Sequence, residues 1–62
     1  MVRALEKLGF TVRRQHGSHI IMRRDDPYAQ TVVPNHSQLD RGTLRAILRQ
    51  TGISPEDLAG IL

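Results

Sequence analysis

Hydrophobic residues follow a helical period at the two ends of the chain and a period of two in its middle. Val2, Leu5 and Leu8 recur at three-residue spacing with charged residues between them, which predicts a short amphipathic helix that ends at Gly9. A glycine just past the last periodic residue can adopt the left-handed conformation that closes a helix, and Phe10 can fold back against it. Because so short a helix has little intrinsic stability, we expect it to depend on tertiary packing.

The middle of the chain predicts three antiparallel strands. Apolar and polar residues alternate there, and β-branched residues are frequent. Pro34 ends the last of these segments, because proline cannot donate a hydrogen bond to a strand ladder. A turn is predicted at 16–18, where Gly17 lies. The predicted strands cover 10–15, 19–24 and 31–33.

Two further helices are predicted after the strands. Asp40 is a suitable N-cap for a helix that runs to about Gln50 and closes at Gly52. Ser54-Pro55 is a second start signal, with a capping hydroxyl followed by a proline at the first helical position. The order of elements predicts an α+β fold, with helices packed on one face of a three-stranded antiparallel sheet, in a single domain over residues 1–62.

The register of the first hairpin decides which side chains face solvent. With a three-residue turn, Phe10 and Val12 share the buried face with Ile20 and Met22, whereas a slip of one residue would reverse the two faces. We prefer the register that buries these apolar residues. The open face is then predicted to contain Thr11, Arg13, Gln15, His19, Ile21 and Arg23.

Composition narrows the class of protein. Apolar residues make up 39% of the 62 residues and charged residues 24%, as in an ordinary globular protein. The sequence contains no Cys, so we expect no disulfide framework and a reducing, cytoplasmic location. The longest apolar run, Ile20-Ile21-Met22, is far too short to span a membrane, and no signal peptide is evident.

The charge favours a polyanionic partner. Nine Lys and Arg against six Asp and Glu give a net charge of +3, and all the basic residues except Lys7 are arginines. The guanidinium group matches the geometry of phosphate oxygens. Arg41, Arg45 and Arg49 are spaced four apart and stack along one side of the second predicted helix. This ridge is either a solvated helix flank or a set of contacts to nucleic-acid phosphates.

Three histidines are the candidate catalytic or metal-binding residues. His16 and His19 have a spacing found in metal sites, and His36 or Asp25 could join them. There is no Cys and no metal-binding loop signature, so we predict no metal and no cofactor. For His16 and His36 the simpler interpretation is a surface imidazole near a turn.

An ordered set of short motifs resembles one family. Gly17-Ser18-His19 opens a predicted strand, after Leu8-Gly9-Phe10 and before Pro34-Asn35-His36 and Gly42-Thr43-Leu44-Arg45. Taken together, these motifs resemble the HicA family of small RNA-cleaving toxins, and the resemblance covers most of the chain. It implies a fold like that of double-stranded-RNA-binding domains, with helices packed on a three-stranded sheet.

The resemblance also implies a function and a site. It implies cleavage of messenger RNA, with His19 as the catalytic residue and Gly17 and Ser18 shaping the turn that presents it. It further implies that a HicB-like antitoxin holds the toxin inactive. Relatives usually have a longer first helix before the stretch that matches Ala4-Leu5, which leaves three explanations open: a misplaced start codon, a truncated chain or a weakened toxin.

One histidine can explain part of the chemistry of RNA cleavage. An imidazole can take the proton of the ribose 2′-hydroxyl, whose oxygen then attacks the adjacent phosphate. Charge on the phosphoryl oxygens would be stabilised by Arg13, Arg23 or an arginine of the second helix. The general acid stays open between His16 and His36. The predicted RNA-binding residues are Arg13, Arg23, Arg41 and Arg45.

Two other classes of protein remain alternatives. The first is a non-catalytic RNA-binding module of the same fold, in which His19 only forms hydrogen bonds. The second is a DNA-binding helix-turn-helix formed by the last two predicted helices. No basic residue follows Arg49, and Glu56 and Asp57 open the last helix, so we expect no DNA binding by the chain alone.

Overall fold

A computed structural model describes residues 1–36 and 38–61 of the chain. Its three strands form one antiparallel sheet in the order β1-β2-β3. Three helices accompany the sheet, so the predicted α+β class and order of elements are confirmed. The elements are α1 (Val2–Lys7), β1 (Thr11–His16), β2 (His19–Asp25), β3 (Tyr28–Pro34), α2 (Arg41–Thr51) and α3 (Pro55–Ile61).

The end of α1 follows the predicted pattern closely. Gly9 has φ 94°. Its N–H donates to the Glu6 carbonyl at 3.1 Å, and the N–H of Phe10 donates to the Leu5 carbonyl at 3.0 Å. This pair of bonds is the Schellman arrangement, which needs a residue that tolerates positive φ. The Phe10 side chain is thereby directed into the core, where it is 1% exposed.

The helices pack on one face of the sheet, here called the inner face. This face is formed by alternate buried residues of β2 and β3, including Met22 and Val33. α2 packs against β3, while α1 contacts β1 and α3. Thr31 on the inner face donates from its hydroxyl to Gln50 Oε1 at 2.7 Å, which links β3 to α2.

Both ends of α2 and the start of α3 carry the predicted capping residues. Asp40 accepts a hydrogen bond from the Thr43 N–H, and bonds from the side chain and backbone of Thr43 lower the pKa of Asp40 below its ordinary value. Gly52 closes α2 with φ 74°. The Ser54 hydroxyl accepts from the Asp57 N–H at 3.0 Å. Leu62, predicted as an apolar residue of the last helix, lies outside the described residues.

Arg24 joins three parts of the fold and is not free to bind a ligand. Its guanidinium donates to the carbonyls of Pro27 at 3.0 Å, Thr51 at 3.4 Å and Leu8 at 3.5 Å. It also lies 4.7 Å from the centre of the Phe10 ring, within the range of a cation–π contact. Arg24 therefore ties the ends of α1 and α2 to the β2–β3 turn.

The predicted three-residue turn of the first hairpin is wrong. Phe10, Ile20 and Met22 are buried as predicted, whereas Val12 lies on the inner side but is 46% exposed. The structure has a two-residue turn, Gly17-Ser18, and His16 is the last residue of β1. A bulge between Val12 and Arg14 then shifts the register by one residue, so that Val12 still lies opposite Met22. The tight turn is possible because Gly17 has φ 54°.

None of the helices in the described ranges is both long enough and apolar enough to cross a membrane.

Candidate active site

The exposed side of the sheet, here called the outer face, contains the predicted catalytic histidine. His19 is the first residue of β2 and is exposed. Directly opposite residues of antiparallel strands project their side chains to the same side of the sheet. The pairing therefore assigns to the outer face Thr11, Arg14 and His16 of β1, His19, Ile21, Arg23 and Asp25 of β2, and Tyr28, Gln30, Val32 and Pro34 of β3.

The register corrects the predicted composition of this face along β1. Gln15 lies opposite Ile20, which is buried, so Gln15 belongs to the inner side. Arg13 lies in the bulge and has no partner in the β1–β2 ladder. Arg14 takes the position opposite Ile21. Gln15 and Arg14 exchange faces because the turn has two residues and not three, and the bulge restores the predicted faces of Val12 and Thr11.

His16 is the residue directly opposite His19. Both histidines are exposed, and together they close the hairpin on either side of Gly17-Ser18. The Cβ atoms of opposed residues lie about 4.5–5.5 Å apart in an antiparallel pair. The predicted register had placed Gln15 at this position, so this neighbour of His19 was missed.

The hairpin turn is held to the end of β3. Pro34 pairs with His19, and the N–H of Asn35 donates to the Ser18 carbonyl at 2.6 Å. His36 follows beyond the strand, and its N–H donates to the Pro34 carbonyl at 2.9 Å. All three histidines therefore lie toward one end of the sheet. No group of three histidines and carboxylates within 1–36 and 38–61 is arranged to hold a metal ion.

Arg14 is the arginine of the outer face that lies nearest to His19 in the register. It is diagonal to His19 across the β1–β2 pair, a relation that corresponds to about 7–8 Å between Cα atoms. Arg23 lies four residues further along β2, about 13 Å away at roughly 3.3 Å per residue. One phosphate placed at His19 is thus within reach of Arg14 rather than Arg23.

Arg23 is already engaged with an acidic neighbour. Its Nε lies 2.9 Å from Asp25 Oδ1, and the contact is an ion pair that lacks hydrogen-bond geometry. The Arg23 side chain is 33% exposed and that of Asp25 is 75% exposed. A pair with side chains this exposed contributes little to stability.

The arginines of α2 lie in the helical layer. Arg41, Arg45 and Arg49 are all exposed. The chain that links β3 to α2 spans only residues 35–40, so Arg41 starts its helix at the end of the sheet where the hairpin turn lies. Arg49 is in the last turn of α2, toward the other end. The structure thus brings Arg41 to the same end of the molecule as His19, but not to the outer face.

A family model described as HicA toxin of bacterial toxin–antitoxin matches residues 1–53. The chain belongs to the HicA toxin family. As a member of this family it is the toxin component of a toxin–antitoxin pair, and its partner is a HicB-like antitoxin protein. The match includes the whole sheet and α2 of this HicA-family toxin. No curated protein and no solved structure matches the chain.

The geometry of the Gly17 turn leads to a stability prediction for this HicA-family toxin. We expect Gly17→Ala to lower the free energy of unfolding by roughly 1–2 kcal/mol, because an L-residue with a side chain is strained at positive φ. No described atom lies within 4 Å of the added Cβ, so the cost is conformational and not steric. Urea unfolding followed by circular dichroism measures the change.

Gly60→Ala is the matched control for this substitution. Gly60 lies in α3 and its added Cβ also has no described neighbour within 4 Å, but its φ is not positive. Here alanine should raise stability by about 0.5–1 kcal/mol, since it favours the helix. Shifts of the same sign in both variants would contradict the conformational account of Gly17.

Proposed function

We propose that this HicA-family toxin is a metal-independent endoribonuclease that cleaves messenger RNA on the outer face, with His19 as the general base. The supporting observation is that His19 is exposed at the start of β2, next to the turn formed by Gly17-Ser18. The diagonal position of Arg14 supplies a guanidinium for the same phosphate.

The proposed reaction starts at the ribose. His19 accepts the proton of the 2′-hydroxyl, and the 2′-oxygen attacks the adjacent phosphorus. Negative charge grows on the phosphoryl oxygens, where the guanidinium of Arg14 stabilises it. The bond to the 5′-oxygen breaks, which leaves a 2′,3′-cyclic phosphate on one fragment and a 5′-hydroxyl on the other. DNA is not cleaved because it has no 2′-hydroxyl.

Four further arginines are proposed to hold the RNA backbone on either side of the cleaved bond. Arg23 can exchange Asp25 for a phosphate further along the strand. Arg41 and Arg45 contact phosphates at the adjoining end of α2, and Arg13 does so on the edge strand β1. Such contacts read the shape and charge of RNA more than its sequence, as in double-stranded-RNA-binding domains.

We also propose that the antitoxin covers the outer face. Ile21 and Val32 lie side by side there, and Val32 is 42% exposed. Tyr28, on the same face, is 67% exposed. An exposed apolar patch next to a basic site is suited to a protein partner that buries both. Covering this face would block access of RNA to His19.

A direct test uses the purified protein and a short RNA in the presence of a chelator. We expect cleavage of the RNA, a 2′,3′-cyclic phosphate end, and no cleavage of the same RNA with 2′-O-methyl groups throughout. Binding of the RNA without cleavage would favour the alternative, a non-catalytic RNA-binding module. Cleavage that requires an added divalent metal would contradict the proposed mechanism.

The bulge in β1 allows a matched test of the phosphate-binding arginine. Arg14→Gln should lower kcat for RNA cleavage by roughly 10-fold to 100-fold, because it removes a charged donor from the developing phosphoryl charge. Arg13→Gln removes the same charge from the neighbouring residue and should lower RNA affinity only. Steady-state kinetics on a short RNA separates the two effects. Equal losses of kcat in the two variants would contradict the register argument.

A further inference from the structure

His16 is the residue that the hairpin places opposite His19. The two are register partners at the end of the β1–β2 ladder, and both are exposed on the outer face. Their Cβ atoms are therefore expected about 4.5–5.5 Å apart, on the same side of the sheet. Two imidazoles at this spacing can approach the two sides of a single phosphate.

We propose that His16 is the general acid of the reaction, the group that donates a proton to the departing 5′-oxygen. This inference rests on the proposed ribonuclease function. Without such a donor the 5′-oxygen would leave as an unprotonated alkoxide, which is a poor leaving group, and proton transfer from a positioned side chain removes that cost. An imidazole serves because it exchanges protons near neutral pH.

The paired mechanism needs no proton donor or acceptor besides the two histidines. Neutral His19 gains the proton of the 2′-hydroxyl as the bond between the 2′-oxygen and phosphorus forms. Protonated His16 loses a proton to the 5′-oxygen as the bond between phosphorus and that oxygen breaks. The two histidines end with their protonation states exchanged, and proton exchange with water restores them.

The charged side chain that the register places nearest to the pair is basic. Along β1 the nearest charged residue of the outer face is Arg14, and along β2 the charged residues are Arg23 and Asp25, which pair with each other. The outer face of β3 contributes Tyr28 as its titratable residue, opposite Asp25. The pairing thus places Arg14 closer to the histidine pair than Asp25, as expected of a site that receives a phosphate.

His36 provides an internal control. It lies beyond the end of β3, outside the strand ladder, and is exposed. It has the same side chain and lies at the same end of the sheet, but the register does not place it opposite His19. If the loss of any imidazole at this end of the sheet slowed cleavage, variants of His36 would therefore show the same loss as variants of His16.

The test compares two substrates that differ in one atom. The first is a short RNA with an ordinary 5′-oxygen at the cleaved bond, and the second has sulfur in place of that oxygen. A thiolate leaves without needing a proton, so only the ordinary RNA depends on the general acid. The variants are His16→Ala, His16→Gln, His19→Ala and His36→Ala, each checked for the wild-type circular dichroism spectrum.

With His16 as the general acid, His16→Ala and His16→Gln should cleave ordinary RNA about 100-fold or more slowly than wild type, yet cleave the sulfur-containing RNA within a few-fold of wild type. His19→Ala should be slow on both substrates, and His36→Ala normal on both. Equal losses on the two substrates would show that His16 binds or positions the phosphate, and no loss on either would show no role. Both results overturn the inference while leaving the ribonuclease function in place.

If the protein is not a ribonuclease, the same two-substrate assay gives a different result. A wild-type protein that cleaves neither substrate overturns the ribonuclease and the general acid together. Cleavage that is unaffected by His19→Ala overturns the histidine mechanism for both residues.

Discussion

His19→Ala is expected to abolish growth arrest and to lower RNA cleavage by about 10²–10⁴-fold, the range that a general base contributes. His19 is exposed, and neither of its register partners, His16 and Pro34, belongs to the buried core, so the substitution removes no core residue. The folded structure and the affinity for RNA should therefore be retained. The measurement is growth on induction of wild type and variant, with RNA from both cultures examined for cleavage.

His36→Ala is the matched control, because it removes an exposed imidazole at the same end of the sheet. This variant should arrest growth as wild type does. A folded, equally expressed His19→Ala that still arrests growth and cleaves RNA would contradict the proposed role of His19. Growth arrest without RNA cleavage in wild type would instead indicate a toxin that acts by binding.

Phe10→Ala is expected to have the largest effect on stability, a loss of about 3–5 kcal/mol. Phe10 is 1% exposed and its ring is also the partner of the Arg24 guanidinium. At roughly 0.05–0.15 kcal/mol per residue, a chain of 62 residues has a total stability of roughly 3–9 kcal/mol. The melting temperature of the variant should therefore be at least about 10 °C below that of wild type, which thermal unfolding by circular dichroism would measure.

Val12→Ala is the control for this substitution. Val12 lies on the inner side of the sheet opposite Met22, but it is 46% exposed. Its truncation should cost less than about 1 kcal/mol. If Phe10→Ala unfolds cooperatively within a few degrees of wild type, the core does not depend on Phe10 as described.

Helix ends and strand order were predictable because the signals are local. Gly9, Asp40 and Gly52 each occupy the cap predicted for them, since a cap depends on the conformation and hydrogen bonds of a few neighbouring residues. The third strand extends over Tyr28–Pro34, beyond the predicted 31–33, because pairing with β2 recruits the flanking residues into the ladder. Strand ends depend on the partner and were the less predictable part.

The count of basic residues predicted a polyanion partner but not which arginines are available to it. Arg24 appears in the sequence as one more positive charge, whereas the structure uses it to bind three carbonyls and the Phe10 ring. The sequence does not predict Arg14 as an RNA-binding residue, because strict alternation from a three-residue turn places it on the inner side. The two-residue turn brings it opposite Ile21, and the bulge then returns Val12 to the inner side.

The sequence by itself determined the α+β class, the two glycine-closed helices, the family and the histidine at the start of β2, because each rests on local signals or on motifs read along the chain. Only the tertiary structure decided which residue faces His19. A two-residue turn alone would place Val12 opposite Arg23 on the outer face, and one extra residue of β1, taken up in the bulge, returns Val12 to the inner side opposite Met22. The two-residue turn places His16, and not Gln15, opposite His19.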